Sequence, residues 1–420
     1  GVLCVLIIFY SAQVIAGGSS KLDSDMLHEL KRMIEQQQAQ IDQQAAEIAA
    51  LKEQLAGNTE AIAVKADKED TEDLEKVAYS SFSNVNVSLY GQFNPAALYV
   101  NNGDSSKLYV VDNVHSQSRF GLRARVDTTS GWQVGGRFEY GVSGNASTEV
   151  NNWYTESASE DFFKLRWAEI SFARESYGKF SLGKGDSASN STAEIDLSGT
   201  AVAMQDKTLW LASGTLWYDG SSDILSEFEV KQIYNGFDGL SRTDRIRYDT
   251  PEFGGFSLAG SYSSGDAFDG SVWYSREFSE TRVAAALGVA NPGDVMQGTE
   301  LLYTGSASLL FPMGISATFS GSLMEKKEEG FDDATVWWAK LGYKKSFYEG
   351  ATTAFSLDYG ASDNISVNDE KGSTWAFAAV HDVADWGTEF YAIYRMYMAD
   401  SERGDFDDVN ALMAGARLRF

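Results

Sequence analysis

From residue 83 onward, apolar and polar residues alternate with a period of two. In "SRFGLRARVD", Phe120, Leu122, Ala124 and Val126 alternate with Arg119, Gly121, Arg123 and Arg125. In "WQVGGRFEYGV", Trp132, Val134, Phe138, Tyr140 and Val142 form the apolar row. "TELLYTGSASLLF", "VWWAKLGYKK" and "EFYAIYRMYM" repeat the pattern, and the ending "NALMAGARLRF" places Leu412, Ala414, Ala416, Leu418 and Phe420 on one face. A period of two predicts β-strands, because successive side chains point to opposite faces. Residues 21–62 follow another rhythm. Heptad position a holds Leu27, Ile34, Ile41, Ile48, Leu55 and Ile62, and position d begins Leu30, Gln37, Gln44, Leu51. Branched aliphatics at every a position predict a coiled coil, and Ile at a with Gln at d suits a trimer better than a dimer. The charged stretch between them, 63–82, has no apolar period and reads as a linker.

Two all-β architectures fit the alternating rows. A soluble sandwich buries the apolar row; a membrane barrel turns it toward lipid and its charges toward a lumen. Three features favour the barrel. The rows run eight to eleven residues, enough for a tilted strand to cross a bilayer. They begin and end on aromatics, as an interfacial girdle requires. Connections also alternate between tight turns ("TTSG", "ESYG", "PEFGG", "PMG", "VADWG") and acidic, Gly- and Ser-rich stretches near 100–117, 143–162, 186–241, 264–270 and onward. The strands number sixteen, centred from residue 91 to residue 415. The predicted fold is therefore all-β: a 16-stranded antiparallel transmembrane barrel over 83–420, preceded by a helical coiled coil. Sixteen strands imply a water-filled lumen rather than a packed core.

Composition narrows the reading. The 420 residues include 39 Gly, 24 Phe, 20 Tyr and 10 Trp but 4 Pro, which suits many strands and tight turns. A formal charge of −26 argues against nucleic acid, which needs clustered excess Lys and Arg. The opening "GVLCVLIIFYSAQVIAGG" reads as the apolar region of a secretory signal peptide, removed after Ala16, with its basic start lying before Gly1. The single cysteine, Cys4, would leave with it, so disulfides, Fe–S clusters and Cys-based zinc sites are not expected. Neither a cofactor nor a metal is expected. An enzyme is not expected either: His28, His115 and His381 lie on different segments, and no GxSxG occurs. "GKGDSA" at 183–188 looks like a dinucleotide fingerprint, but no helical pattern follows it. A trimeric adhesin shares the coiled coil and barrel, yet with a longer stalk and a shorter barrel portion.

Several stretches, taken in order, resemble the general trimeric porins of Gram-negative outer membranes. They are "VSLYGQFNPAALYV", "SQSRFGLRARVDTTSGWQVGGRFEYG", "LRWAEISFARESYGKFSLGKGD" and "RIRYDTPEFGGFSLAGSY", with the terminal aromatic. The resemblance spans residues 84–420 and implies a homotrimer in outer-membrane lipid that passes ions and small hydrophilic solutes. It also implies a third loop folded into each lumen, here about 186–241, and a C-terminal Phe420 that addresses the chain to the barrel-assembly machinery. The coiled coil departs from the simplest members and suggests a periplasmic stalk, with peptidoglycan as a candidate partner.

A charged constriction is then the candidate site. The expected acidic loop carries Asp186, Glu194, Asp196 and Asp206. The expected basic wall carries Arg119 and Arg123 on the second strand, Arg166 on the fourth, and Arg245 and Arg247 on the sixth. Arg119 and Arg166 stand where the family's "SRFG" and "LRWA" motifs place wall arginines. The parity of strand four is ambiguous, since Leu165 and Trp167 as well as Ile170 and Phe172 suit lipid; a bulge near Ala168 would reconcile them. Net pore selectivity does not follow from −26, because much of that charge lies in loops and linker; the expected preference is for cations. Open alternatives are a porin selective for an anion such as phosphate, or for a sugar, and an envelope tether acting through the coiled coil.

Overall fold

The computed structural model describes residues 85–142, 144–153, 162–204 and 211–420, together with Arg32 and Ala78–Tyr79. The signal peptide and the coiled-coil positions Leu27, Leu30, Ile34, Ile41, Ile48, Leu51 and Leu55 lie outside the described residues, as does nearly all of the 63–82 linker.

Nineteen hydrogen-bonded strand segments form one sheet. Setting aside the two-residue bridge Ala78–Tyr79 and joining two interrupted strands leaves sixteen. The strand β1 comprises Asn86–Phe93 and Pro95–Asn101, and β2 comprises Ser106–Asp112 and Arg119–Asp127. They are followed by β3 (Gln133–Val142), β4 (Phe163–Arg174), β5 (Gly178–Asp186), β6 (Arg242–Asp249), β7 (Phe256–Ser263) and β8 (Ala267–Phe278). The second half is β9 (Thr281–Asn291), β10 (Thr299–Leu310), β11 (Ile315–Lys326), β12 (Ala334–Tyr348), β13 (Ala351–Asp363), β14 (Lys371–Val383), β15 (Thr388–Asp400) and β16 (Val409–Arg419). Each strand pairs antiparallel with the next, and β16 closes the ring on β1, with Met413 opposite Leu98 and Leu418 opposite Phe93. Closure leaves no sheet edge whose backbone would meet lipid unpaired.

The two-residue rhythm points outward, as the barrel reading requires. Leu122, Ile170, Leu182, Leu341, Leu357, Phe377 and Leu412 are all exposed. At the tight-turn end the outer surface carries exposed aromatics, among them Tyr177, Tyr348 and Trp386, and the Phe420 ring packs 5.7 Å from Phe93. This is the aromatic band that lies at the level of lipid headgroups. Leu341 lies mid-strand and is 64% exposed. Leu341→Arg is expected to destabilise the folded barrel by about 2–4 kcal/mol, measured as a shift in urea unfolding from lipid vesicles; an unchanged midpoint would mean this face does not meet lipid.

Two of the expected long connections are tight instead. Residues 102–105 join β1 to β2, and 264–266 join β7 to β8. Gly103 and Gly265 adopt the positive φ (96° and 87°) that such turns demand. Half of the expected loop at 100–117 is strand, interrupted by the 102–105 turn and, after Asp112, by a connection that holds a short 3-10 turn at Val114–Ser116.

A larger difference lies inside. The sequence predicts a wholly water-filled lumen, but part of it is a packed core. Inward residues of β1 (Leu98, Val100), β15 (Tyr391, Ile393, Tyr397) and β16 (Ala411, Met413) are buried against Trp217, Ile233, Tyr234, Phe237 and Leu240 of the long connection between β5 and β6. The inner wall here is apolar too, so both faces of these strands are greasy, and each face needs its own cover.

Candidate functional site

The remaining lumen holds an open cavity of about 870 Å³ beside β2 to β6 and β16. It begins with a bulge on β4. Glu139 pairs with Trp167, whereas the next residue, Tyr140, pairs with Leu165, so Arg166 is the extra residue. The predicted bulge exists, two positions before Ala168. It turns both Arg166 and Trp167 into the lumen. The expectation that Trp167 faces lipid is thereby corrected: it is buried, with the Arg137 guanidinium 3.9 Å above its ring.

Glu139 organises this wall. Its side chain is fully buried. One carboxylate oxygen accepts from Arg166 Nε at 2.6 Å; the other accepts from Arg137 Nη2 at 2.7 Å and Tyr90 Oη at 2.8 Å. Arg137 Nε donates to the same Tyr90 oxygen at 2.8 Å. Two guanidiniums against one buried carboxylate leave an excess positive charge facing the water. Charge-assisted bonds of this length also fix both planes in orientation. Arg119 donates to Gln92 Oε1 at 3.4 Å, and Arg417 is held by Glu389 and by Ser116 Oγ at 2.7 Å. Arg242 lies 3.1 Å from Asp186 Oδ1.

Arg119, Arg137, Lys164, Arg166, Arg242 and Arg417 all border the cavity, against Glu149, Asp186 and Glu194. The cations belong to the wall. Glu194 comes from the inward segment, where it accepts from Ser191 Oγ at 2.9 Å. Glu149 comes from a second inward stretch, 144–153, which is tied to β2 by backbone bonds between Asp112 and both Asn145 and Ser147. The cavity is therefore bordered by guanidiniums of the wall and by carboxylates of the two inward stretches, while Asp186 sits on the wall beside Arg242.

Of the sequence-predicted residues, the structure brings Arg119, Arg166, Asp186 and Glu194 together here. It sends the others elsewhere. Arg123 stacks 4.3 Å over the Tyr90 ring, on the inner wall but outside the cavity lining. Arg245 is a buried clamp: its guanidinium donates to Glu169 Oε2 at 2.6 Å and to the carbonyls of Gly183 and Asp186. Arg247 pairs with Asp249 at 2.6 Å and donates to the Ser187 carbonyl at 2.7 Å, tying down the start of the inward segment. Asp196 is buried against Lys340 at 2.8 Å and does not reach the open water. Asp206 lies outside the described residues. Arg137, Lys164, Lys184, Arg242, Arg417 and Glu149 are additions. The register signals Arg137, since it sits opposite Arg123 on the polar row of β3; Arg242 and Glu149 have no periodic signal because they stand at or beyond strand ends.

A family profile described as Gram-negative porin matches residues 76–402. The chain belongs to the Gram-negative porin family. No curated protein matches it. Among solved structures, this porin is similar to the anion-selective porin of Comamonas acidovorans (17% identity, TM-score 0.54, covering 80% of this chain and 100% of that one). It is also similar to a loop L8 deletion mutant of OmpT, an outer membrane protein of Vibrio cholerae (14%, 0.54, 80% and 100%), and to Salmonella typhi OmpF in complex with daunomycin (11%, 0.51, 81% and 100%). At these identities the likeness concerns the fold. Family and fold together make the protein an outer-membrane channel.

Proposed function

We propose that this porin is a homotrimeric channel for passive diffusion of ions and small hydrophilic solutes, narrowed by its inward segment to an arginine-rich slot that favours anions. The carrying observation is the cavity lining, in which cations outnumber carboxylates although the whole chain is at −26. Selectivity follows the charge nearest the ion, because surface charges beyond a Debye length of about 8–10 Å are screened at physiological salt. This is opposite to the cation preference expected from the sequence. The transverse field orients the dipole and hydration water of a polar solute, and an apolar solute would have to displace that ordered water. The protein performs no chemistry in this reading.

Support for the trimer comes from the trimer form of one structural neighbour, in-vitro folded OmpT of Vibrio cholerae. Residues 21–62 would form a periplasmic three-stranded stalk with peptidoglycan as a candidate partner, and Phe420 would serve recognition by the barrel-assembly machinery. Removing residues 21–62 is expected to leave bilayer conductance intact while lowering envelope stability, read as detergent sensitivity of cells; loss of conductance would tie the stalk to the channel itself. The second reading, a channel selective for one anionic solute, rests on the same cluster of guanidiniums, which suits carboxylate or phosphate. Current block decides between them. Brief, weak block by many small anions supports general diffusion; saturable block by inorganic phosphate alone supports the selective channel.

A further inference from the structure

The strand β2 is interrupted in mid-wall. Arg119 pairs with Gln92 and Asp112 with Pro95, so two residues of β1, Phe93 and Asn94, face six of β2, 113–118. A bulge adds one residue to one strand; six against two is too great an excess to stay in the plane of the sheet. The surplus folds into the lumen, where Val114, His115, Ser116 and Gln117 border the open cavity.

Both ends of this excursion are pinned. Asn113 donates from its backbone amide to the Asn94 carbonyl at 3.0 Å and from Nδ2 to the Val202 carbonyl at 2.8 Å. The Ser118 amide donates to the Asp112 carboxylate at 3.1 Å, and the Asn94 amide donates to Ser118 Oγ at 2.9 Å. Asn94 Nδ2 reaches the Ser116 carbonyl at 2.9 Å, while Asn94 Oδ1 accepts from Tyr391 Oη at 2.7 Å. Asn94, Asn113, Ser116 and Ser118 are all buried, and a buried polar network bonded in this way makes a rigid ledge.

The ledge brings neutral oxygens to the arginines of the slot. Gln92 is buried, and its Nε2 donates to the carbonyls of Ser116 and Gln117 at 2.7 and 2.9 Å and to Ser116 Oγ at 2.8 Å. Two carbonyls on that side require the nitrogen end of the amide, which turns Gln92 Oε1 toward Arg119 Nη2, 3.4 Å away. Gln117 Oε1 accepts from Arg166 Nη1 at 3.3 Å, and Ser116 Oγ accepts from Arg417 Nη1 at 2.7 Å. The wall makes room for Gln117 beside Arg166: a Cβ on Gly141 would lie 3.0 Å from both Gln117 Oε1 and Arg166 Cδ. An amide or hydroxyl oxygen orients a guanidinium without cancelling its charge, as a carboxylate would.

We propose that Gln92, Ser116 and Gln117 are positioning residues for anion selectivity: through them the 113–118 excursion aims Arg119, Arg166 and Arg417 at the passing ion with their charge undiminished. The inference rests on the anion-slot reading above. Guanidiniums that border one cavity repel one another. Without the neutral acceptors they would turn toward the carboxylates of the same cavity, Glu149, Asp186 and Glu194, and the slot would lose positive field while the chain kept every charge.

Uncharged substitutions test this, because they leave the charge of the chain unaltered. Gln117→Met and Ser116→Ala each remove an acceptor and are expected to lower the chloride-to-potassium permeability ratio by about twofold, since the Coulomb energy between ion and guanidinium falls with their separation. Ser116→Thr keeps the oxygen and is expected to match the wild type. Reversal potentials in planar bilayers under a salt gradient read the ratio. A purely structural role for the ledge would shift urea unfolding and leave the potential where it was. Folded Gln117→Met and Ser116→Ala channels with the wild-type reversal potential would therefore overturn the positioning role and leave the anion slot standing. A wild-type potential set by potassium would instead overturn the slot reading, and this inference with it.

Discussion

Arg119→Ala combined with Arg242→Ala is expected to move permeability from anions toward cations by about tenfold. Both side chains border the open cavity, from β2 and from the start of β6. A unit charge about 4 Å from a passing ion contributes about 1 kcal/mol in water. Screening by salt reduces each term. Two removed charges then leave roughly 1.4 kcal/mol, a factor of about ten. The structure separates this effect from those of its neighbours. Arg123→Ala removes a cation stacked on Tyr90 outside the cavity lining, and is expected to leave the permeability ratio near that of the wild type. Arg245→Ala removes a clamp on β4, β5 and β6, and is expected to lower barrel stability rather than selectivity. Reversal potentials under a salt gradient measure all three. An unchanged value in the double variant would show that the narrow section lies elsewhere.

The largest stability effect is expected from Arg395→Leu. The Arg395 side chain is fully buried, and its loss strands the Asp358 carboxylate at 1% exposure with a guanidinium gone. Removing one partner of a buried pair costs about 3–5 kcal/mol, far more than the net worth of the pair. Arg395→Leu with Asp358→Leu is expected to recover most of that loss, because Ile393, Ala376 and Tyr397 nearby already make an apolar setting. The double variant still leaves Lys340 paired with Asp196. Urea unfolding in vesicles, followed by Trp fluorescence, checks the pattern. Equal losses in the single and double variants would mean that packing, not uncompensated charge, governs the site.

Much of the barrel was legible because lipid imposes a strict rule: each spanning strand must turn one apolar row outward. The count of sixteen, the strand centres and the outward rows of β2, β10, β12, β15 and β16 all follow from that rule. Two tight connections were misread as long, since Gly103 and Gly265 mark turns as readily as loops. The interior was less legible. Ala411, Met413, Tyr391 and Ile393 alternate with an equally apolar outer row, so the period of two fades on the strands that carry the packed core. Ser306, Ser308, Ser320 and Ser322 of β10 and β11 bind the backbone of the inward segment, which the strand pattern does not show. Of the arginines that border the cavity, Arg119 was legible because motif and parity agree, whereas Arg166 rested on its motif alone, because the parity of β4 is ambiguous without the bulge. Arg245 and Asp196 have the right charge and the right face, but burial assigns them to bracing, and burial is a property of the segment packed against them. Net charge and the proposed slot point in opposite directions: −26 is a sum over the chain, whereas on the proposed reading an ion in the slot meets Arg137, Arg166 and Arg242.

The most direct test is the zero-current potential of the purified wild-type protein in a planar bilayer under a potassium chloride gradient. The arginine slot predicts stable conducting channels with a potential of the sign set by chloride. A potential set by potassium, or a protein that stays dissolved without detergent and never enters the bilayer, would contradict the account.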